Sequence, residues 1–282
     1  MIIACGTVLF RQYPLEKALE AIRETGYEFV ETQAVGPWCP HVTVGKDDPV
    51  KYKELVKKHG FDGTTALWMP YGTILADEKC VEWGVLTLEW AKAAGIPVVN
   101  TGDGHKPREM DEAEAYKVYE DRMGRIVEAA EKNQTVIAIE PHGTFSLTSA
   151  GLIRLMSVSN SKWLGINYDT CNIRRAGYVE SKGAEGHSYK KLESGEDELE
   201  VLKKIAGRVA HFHAKDYKDG ACAQLGTGEV RLSECIGLLK ENGYTGAVSL
   251  ETEGDEDFDT SKAFAAAGLK YLRDCIFPDK SF

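Results

Sequence analysis

Glu140, Asp169, His213 and Glu251 are side chains of types that bind divalent cations, and each closes a short, partly apolar run. In runs 136–140, 164–169, 209–213 and 247–251, apolar residues alternate with small or polar ones, the pattern of strands with one buried face. Ile137 and Ile139 oppose Ala138 and Glu140, and Leu164, Ile166 and Tyr168 oppose Gly165, Asn167 and Asp169. Ala210 and Phe212 oppose His211 and His213, and Val248 and Leu250 oppose Ala247, Ser249 and Glu251. Each small or polar row thus ends, at its C-terminal tip, in a candidate ligand. Three carboxylates and one imidazole make a mostly hard donor set, suited first to Mn2+, with Mg2+, Co2+ or Zn2+ as competitors. Buried together without a partner, three carboxylates repel one another and lose solvation. One divalent cation removes that objection; ion pairing with Arg or Lys is the plain alternative. A cation in such a site stabilises the negative charge that develops when a proton leaves carbon next to a carbonyl. Glu140 and Glu251, from different strands, can flank that carbon, one removing the proton and the other returning it.

Those tips need a scaffold that gathers strand ends. Eight strand-like runs are legible, the four above preceded by 2–5, 28–32, 61–67 and 97–101. Helical patterns alternate with them at 15–25, 49–59, 79–94, 111–133, 149–159, 196–206, 232–242 and 260–274. Pro14 precedes the first helix, and Gly26, Gly60, Gly95 and Gly243 follow helix ends, where glycine suits a left-handed cap. Eight strand–helix units predict an α/β fold, a single (β/α)8 TIM barrel over residues 1–282, whose active site lies at the C-terminal strand ends. A doubly wound open sheet is the alternative. The longest connection, about 170–195, carries Arg174, Arg175, Lys190 and Lys191. It reads as a lid, an anion contact or an oligomer contact, or as a plain solvated loop.

Composition narrows the function classes. With 44 acidic against 34 basic residues the 282-residue chain carries −10, which argues against a general nucleic-acid binder. No apolar run approaches the ~20 residues of a membrane span. The start, MIIACG, lacks the charged and apolar regions of a secretory signal. Seven scattered cysteines without a C-x-x-C pair fit reduced thiols, so the expected location is cytoplasmic.

The stretches IAIEPHG, NYDTCN, HFHAKD, GTGEV and SLETEG resemble successive motifs of the xylose-isomerase-like TIM-barrel superfamily, chiefly over residues 135–254. That group includes sugar and sugar-phosphate isomerases and epimerases, inosose dehydratase and an apurinic-endonuclease branch. The resemblance implies one divalent metal held by Glu140, Asp169, His213 and Glu251, with the two glutamates exchanging protons with substrate carbon. The family's aspartate motif often reads D-x-x-H, whereas Asn172 stands at the last place here. An amide can bind a sugar hydroxyl but cannot supply a proton.

Other residues are candidates of lesser reach. His142, two positions after Glu140, can act as a further acid/base or bind a substrate hydroxyl, or it can cap the next helix. His211 lies one layer below His213 and reads as a supporting residue. Lys215 can contact a substrate oxygen or pair with Asp216. The turn Gly226–Gly228 can cradle a phosphate, though the acidic run 253–257 would repel one, so an unphosphorylated substrate is expected. A solvated acidic helix start explains that run equally well. Trp38 to His41 and Trp68 to Tyr71 can wall a sugar ring, or pack; Trp68 is a candidate substrate contact, as are Asp103, His105 and Lys106.

The leading expectation is a metal-dependent sugar isomerase or epimerase working through an enediolate, on a small-molecule sugar or sugar derivative. The alternative is a metal-dependent lyase on a keto-sugar, inosose or oxidised C-glycoside, which can require a partner subunit; a homo-oligomer is compatible with either. A non-catalytic sugar-binding barrel is the third reading. The endonuclease branch fits less well, because its sites use more histidines and the charge opposes DNA.

Overall fold

Alternation of apolar and small residues along eight short runs closes a parallel barrel, because each strand must bury one face against helices and the other in a narrow lumen. The computed structural model describes residues 1–107, 109–181, 187–191 and 195–278, with the side chains of 71–73, 177–181 and 187–191 outside that description. The strands are β1 (Ile2–Gly6), β2 (Phe29–Gln33), β3 (Gly63–Thr73), β4 (Val98–Gly102), β5 (Val136–Glu140), β6 (Leu164–Asp169), β7 (Gly177–Ser181), β8 (His187–Lys191), β9 (Val209–Ala214), β10 (Asp216–Lys218), β11 (Ala221–Ala223) and β12 (Ala247–Leu250). Eight of them form the closed barrel in the order β1-β12-β9-β6-β5-β4-β3-β2, all paired in parallel. The expected (β/α)8 barrel is what the chain forms. β7–β8 and β10–β11 are two antiparallel hairpins outside it.

The helices are α1 (Leu15–Glu24), α2 (Pro49–Lys58), α3 (Lys79–Ala94), α4 (Glu112–Asn133), α5 (Ser149–Met156), α6 (Thr170–Arg175), α7 (Glu198–Ile205), α8 (Leu232–Glu241) and α9 (Phe258–Ile276). Their starts follow local chemistry. Asp48, Thr148, Asp197 and Asp257 accept hydrogen bonds from first-turn amides, and Asp111 forms a reciprocal capping box with Glu114. Gly95 ends α3 with φ 77°, a left-handed conformation that suits glycine.

Ile137, Ile139, Leu164, Ile166, Tyr168, Phe212, Val248 and Leu250 join the core under the helices. Ala66, Val98 and Ala138 form a separate small cluster at the lumen floor, packed by Val136 and Ala210. Ala210 therefore departs from the expected helix-facing row. The register between β6 and β9 shifts between Ile166 and Asn167, pairing with Val209 and His211, and this irregularity carries Ala210 toward the floor. Gly165 answers it: a Cβ there would lie 2.6 Å from the Ala210 Cβ.

Three further differences concern length. α6 and the β7–β8 hairpin fill the connection read as loop, β3 runs on to Thr73, and Glu251 stands just past the end of β12. Of the four basic residues expected to serve as a contact, Lys190 and Lys191 have side chains outside the described residues, as does that of Tyr71.

Candidate active site

The C-terminal ends of β5, β6, β9 and β12 deliver Glu140, Asp169, His213 and Glu251 to one point, where one ligand atom from each lies within 4.8 Å of all the others. All four side chains are buried. His213 Nδ1 sits 3.2 Å from Glu140 Oε2, 3.1 Å from Glu251 Oε2 and 3.8 Å from Asp169 Oδ2. Asp169 has a second role, capping α6 by accepting the Asn172 amide N–H at 2.7 Å. The short helix after β6 thereby fixes the aspartate rotamer.

Glu140 is the most heavily anchored of the four. Its Oε2 accepts from Trp68 Nε1 at 2.9 Å and Asn167 Nδ2 at 2.8 Å, and its Oε1 accepts from Asn172 Nδ2 at 3.0 Å. Asn172, expected to meet substrate, gives one Nδ2 donor to Glu140, while its Oδ1 accepts from Arg175 at 2.8 Å. His142 Nε2 lies 3.4 Å from Glu140 Oε1, and its ring meets Trp68 edge-on with centroids 5.7 Å apart. Its Nδ1 is buried with no hydrogen-bond partner among the described residues. His142, Glu140 and Trp68 are thus brought together.

Lys215 resolves its two expected roles in an unanticipated way. Its Nζ bridges Asp169 at 3.2 Å, Glu251 at 2.9 Å and Glu253 at 3.2 Å. Asp216 turns away and accepts the backbone N–H groups of Gly226 (3.0 Å), Gly228 (2.9 Å) and Val230 (3.2 Å). The G-T-G turn therefore already wraps a carboxylate, which is where a phosphate cradle would have been sought. The acidic run after β12 is likewise occupied: Glu253 receives Arg175 at 2.8 Å, Asp255 pairs with Arg11, and Asp257 caps α9. Only the last fits the expected helix start.

The layer below holds a residue that sequence reading passed over. Glu31 of β2 is buried, and both its oxygens meet His213 Nε2, at 2.9 and 3.0 Å. Asn100 of β4 donates to Glu31 Oε1 at 2.9 Å. A glutamate inside a strand, on the row with Phe29 and Gln33, was the available signal, but Thr32 blurs the alternation. His211 sits beside it, with Nδ1 3.0 Å from Asn167 Oδ1 and Nε2 3.3 Å from Thr65 Oγ1. It thereby aims the Asn167 amide at Glu140.

The other expected contacts make internal hydrogen bonds or ring contacts where partners are recorded. Asp103 is buried and accepts from Phe145 N, Ser146 N and Ser146 Oγ. Lys106 Nζ donates to Met110 O, and His105 is partly buried nearby. His41 binds Thr7 Oγ1 and Tyr13 O, and Arg11 covers Trp38.

Burial and neighbouring charge set the electrostatics. Burial pushes Asp169 up to about 6 and raises Glu140. Burial also opposes ionisation of Glu251, but His213 and Lys215 overcome it and hold this carboxyl well below its ordinary value. His213 responds conversely: burial alone would lower it, yet Glu251, Glu31 and Glu140 raise it well above the usual imidazole range. Burial pushes His142 and His211 down to about 4, so both are neutral near pH 7 and contribute no positive charge. The buried carboxylates Glu31, Glu140, Asp169 and Glu251 are met at contact distance by the charges of His213 and Lys215. Three oxygen donors, an inward imidazole nitrogen and a surplus of negative charge fit a divalent cation.

Comparison with known proteins places this geometry in context. The family model for the xylose isomerase-like TIM barrel matches residues 19–275. Inosose dehydratase of Clostridium botulinum (strain Eklund 17B / Type B) is 24% identical over 172 residues, covering 54% of this chain and 51% of that protein. The chain spans about half the length of the curated relatives it matches. A solved D-tagatose 3-epimerase-like protein superposes with TM-score 0.77 at 19% identity, covering 98% of each chain. IolI protein, solved with a binding zinc atom, superposes with TM-score 0.75 at 17% identity over 100% of both chains. At these identities the likeness is one of fold. Among the described residues, no helix is long and apolar enough to cross a membrane.

Proposed function

The chain belongs to the xylose isomerase-like TIM-barrel family, and from that premise we propose that it is a divalent-metal-dependent isomerase or epimerase of a sugar or sugar derivative. The observation that carries this reading is the convergence of Glu140, Asp169, Glu251 and His213 Nδ1 at the strand ends. A bound cation, Mn2+ for preference, supplies Lewis-acid stabilisation of negative charge on substrate oxygens. Glu140 and Glu251 approach from β5 and β12, so one, as carboxylate, takes a proton from carbon next to the carbonyl and the other, as carboxylic acid, delivers its own proton to the enediolate, the pair resetting through solvent. Trp68, Asn167 and Asn172 hold Glu140 in place, and Lys215 holds Glu251. Trp68 gives the pocket an apolar wall suited to a sugar ring. The filled G-T-G turn supports an unphosphorylated substrate.

A second reading, elimination from a keto-sugar or inosose, is favoured by one specific observation. His142 is a neutral imidazole whose Nε2 lies 3.4 Å from Glu140 Oε1, so a proton that Glu140 takes from carbon can pass to His142 and from it to a departing hydroxyl, leaving as water. The curated relatives named inosose dehydratase point the same way. Incubating Mn2+-loaded protein with keto-sugars and inososes in D2O separates the readings. An isomer of unchanged composition with one carbon-bound deuterium supports isomerisation or epimerisation. Loss of water supports elimination. Metal binding with neither product, across both substrate classes, would leave a sugar-binding barrel.

A further inference from the structure

We infer that Glu31 is a positioning residue for the metal centre: held by Asn100, it orients His213 and keeps the proton on Nε2, so that Nδ1 is the nitrogen left to a cation. The inference rests on the metal-centre reading above and names a residue beyond its four ligands. A ligating imidazole has two nitrogens, and the partner of the outer one decides which tautomer faces the metal. Both nitrogens of the ring face carboxylates, but only the Nδ1 side is the four-residue cluster. Nδ1 points at the oxygens of Glu140, Glu251 and Asp169, at 3.2, 3.1 and 3.8 Å. Nε2 points away from them, with both Glu31 oxygens at 2.9 and 3.0 Å. A carboxylate can only accept, so each nitrogen donates in the metal-free chain; a cation on the Nδ1 side displaces that proton and leaves the Nε2 proton to Glu31.

Glu31 is itself fixed. The Asn100 amide donates to Oε1 at 2.9 Å, and the side chain is sealed in the lumen, away from water. Because β2 and β4 stand on either side of β3, the pair ties His213 across the barrel to strands that carry no ligand. The ring is therefore oriented before any ion arrives, which removes a reorganisation cost from binding.

Glu31, His211 and His213 also lie close enough to hold a second ion. The hydrogen bonds argue against it. His211 is engaged at both nitrogens, by Asn167 Oδ1 and Thr65 Oγ1, and its Nε2 is 3.9 Å from Glu31 Oε2.

The test compares wild-type protein with Glu31→Gln and Asn100→Ala, titrating each metal-free form with Zn2+ calorimetrically. Long-range 1H–15N spectra of the zinc-loaded proteins then read the His213 tautomer. The expected results are one ion per wild-type chain, an affinity roughly 10–100-fold weaker in Glu31→Gln, and a smaller loss in Asn100→Ala. The His213 Nε2–H signal should be present in wild type and shifted or broadened in Glu31→Gln. Thermal unfolding of the metal-free forms controls for folding, and if Glu31→Gln is unfolded, the Asn100→Ala affinity and spectrum decide alone. Affinity within twofold of wild type in both folded variants would overturn the inference while leaving the metal centre intact. Two ions in wild type, falling to one in Glu31→Gln, would make Glu31 a ligand and overturn it differently. Absence of any ion in folded wild type would overturn the metal centre and this inference together.

Discussion

At the scale of single residues, the proposed chemistry depends on two carboxylates that also serve as ligands. Glu140→Gln and Glu251→Gln, measured at saturating Mn2+, should each lower substrate proton exchange with solvent by about 10^2–10^4-fold, the usual worth of a positioned acid or base. Exchange that survives both substitutions would remove these residues from the reaction. His142→Gln divides the two readings of function. It should leave carbon–deuterium exchange nearly intact while abolishing water loss, if elimination is the reaction and His142 protonates the leaving group. The convergence of Glu140, Asp169, His213 and Glu251 was legible because strand alternation leaves an acid or imidazole at four successive tips. Glu31 was not, because Thr32 and Gln33 beside it make both faces of that strand polar. Lys215 was read as an even choice between two partners, since adjacency to Asp216 says nothing about which way each side chain points along β9 and β10.

At the scale of elements, the barrel strands and the long helices were readable from period and caps, whereas the six-residue α6 and three-residue strands β10 and β11 are too short to show a period. The β9 irregularity is a second example, since one unpaired residue reverses the alternation without changing composition. It makes a testable prediction. Gly165→Ala should drive a methyl group against Ala210 and destabilise the barrel floor by roughly 1–3 kcal/mol. Adding Ala210→Gly should recover part of that loss in urea unfolding; equal stability of wild type and Gly165→Ala would show that the floor is loosely packed. The contact between the connections after β4 and β5 offers a pH-dependent case. Burial raises the Asp103 carboxyl to about 6 although three donors face it. The folded chain therefore takes up a proton here that the unfolded chain does not, between the ordinary value of 3.8 and about 6. Stability from this group is largest at low pH and falls as pH rises through that window. The unfolding free energy of wild type relative to Asp103→Asn should drop by roughly 1–2 kcal/mol from pH 5 to pH 7.5. A pH-independent difference would contradict the raised value.

At the scale of the whole molecule, the surplus of negative charge is partly internal. Of the 44 acidic residues, Glu31, Glu140, Asp169 and Glu251 are buried in one lumen. Barrel closure forces these charges together, because the strand tips have nowhere else to point. Binding an ion to the folded form alone must then stabilise the whole barrel, by about 2.7 kcal/mol at a hundredfold excess over the dissociation constant. Chelation should lower the melting temperature by several degrees in wild type and not at all in Asp169→Ala. The most direct test of the central claim is metal analysis of protein that has been chelated, reloaded with Mn2+ and freed of excess ion. About one equivalent per chain in wild type, lost in both Asp169→Ala and His213→Ala, is the predicted result. Folded wild-type protein that retains no ion, or variants that retain a full equivalent, would contradict it.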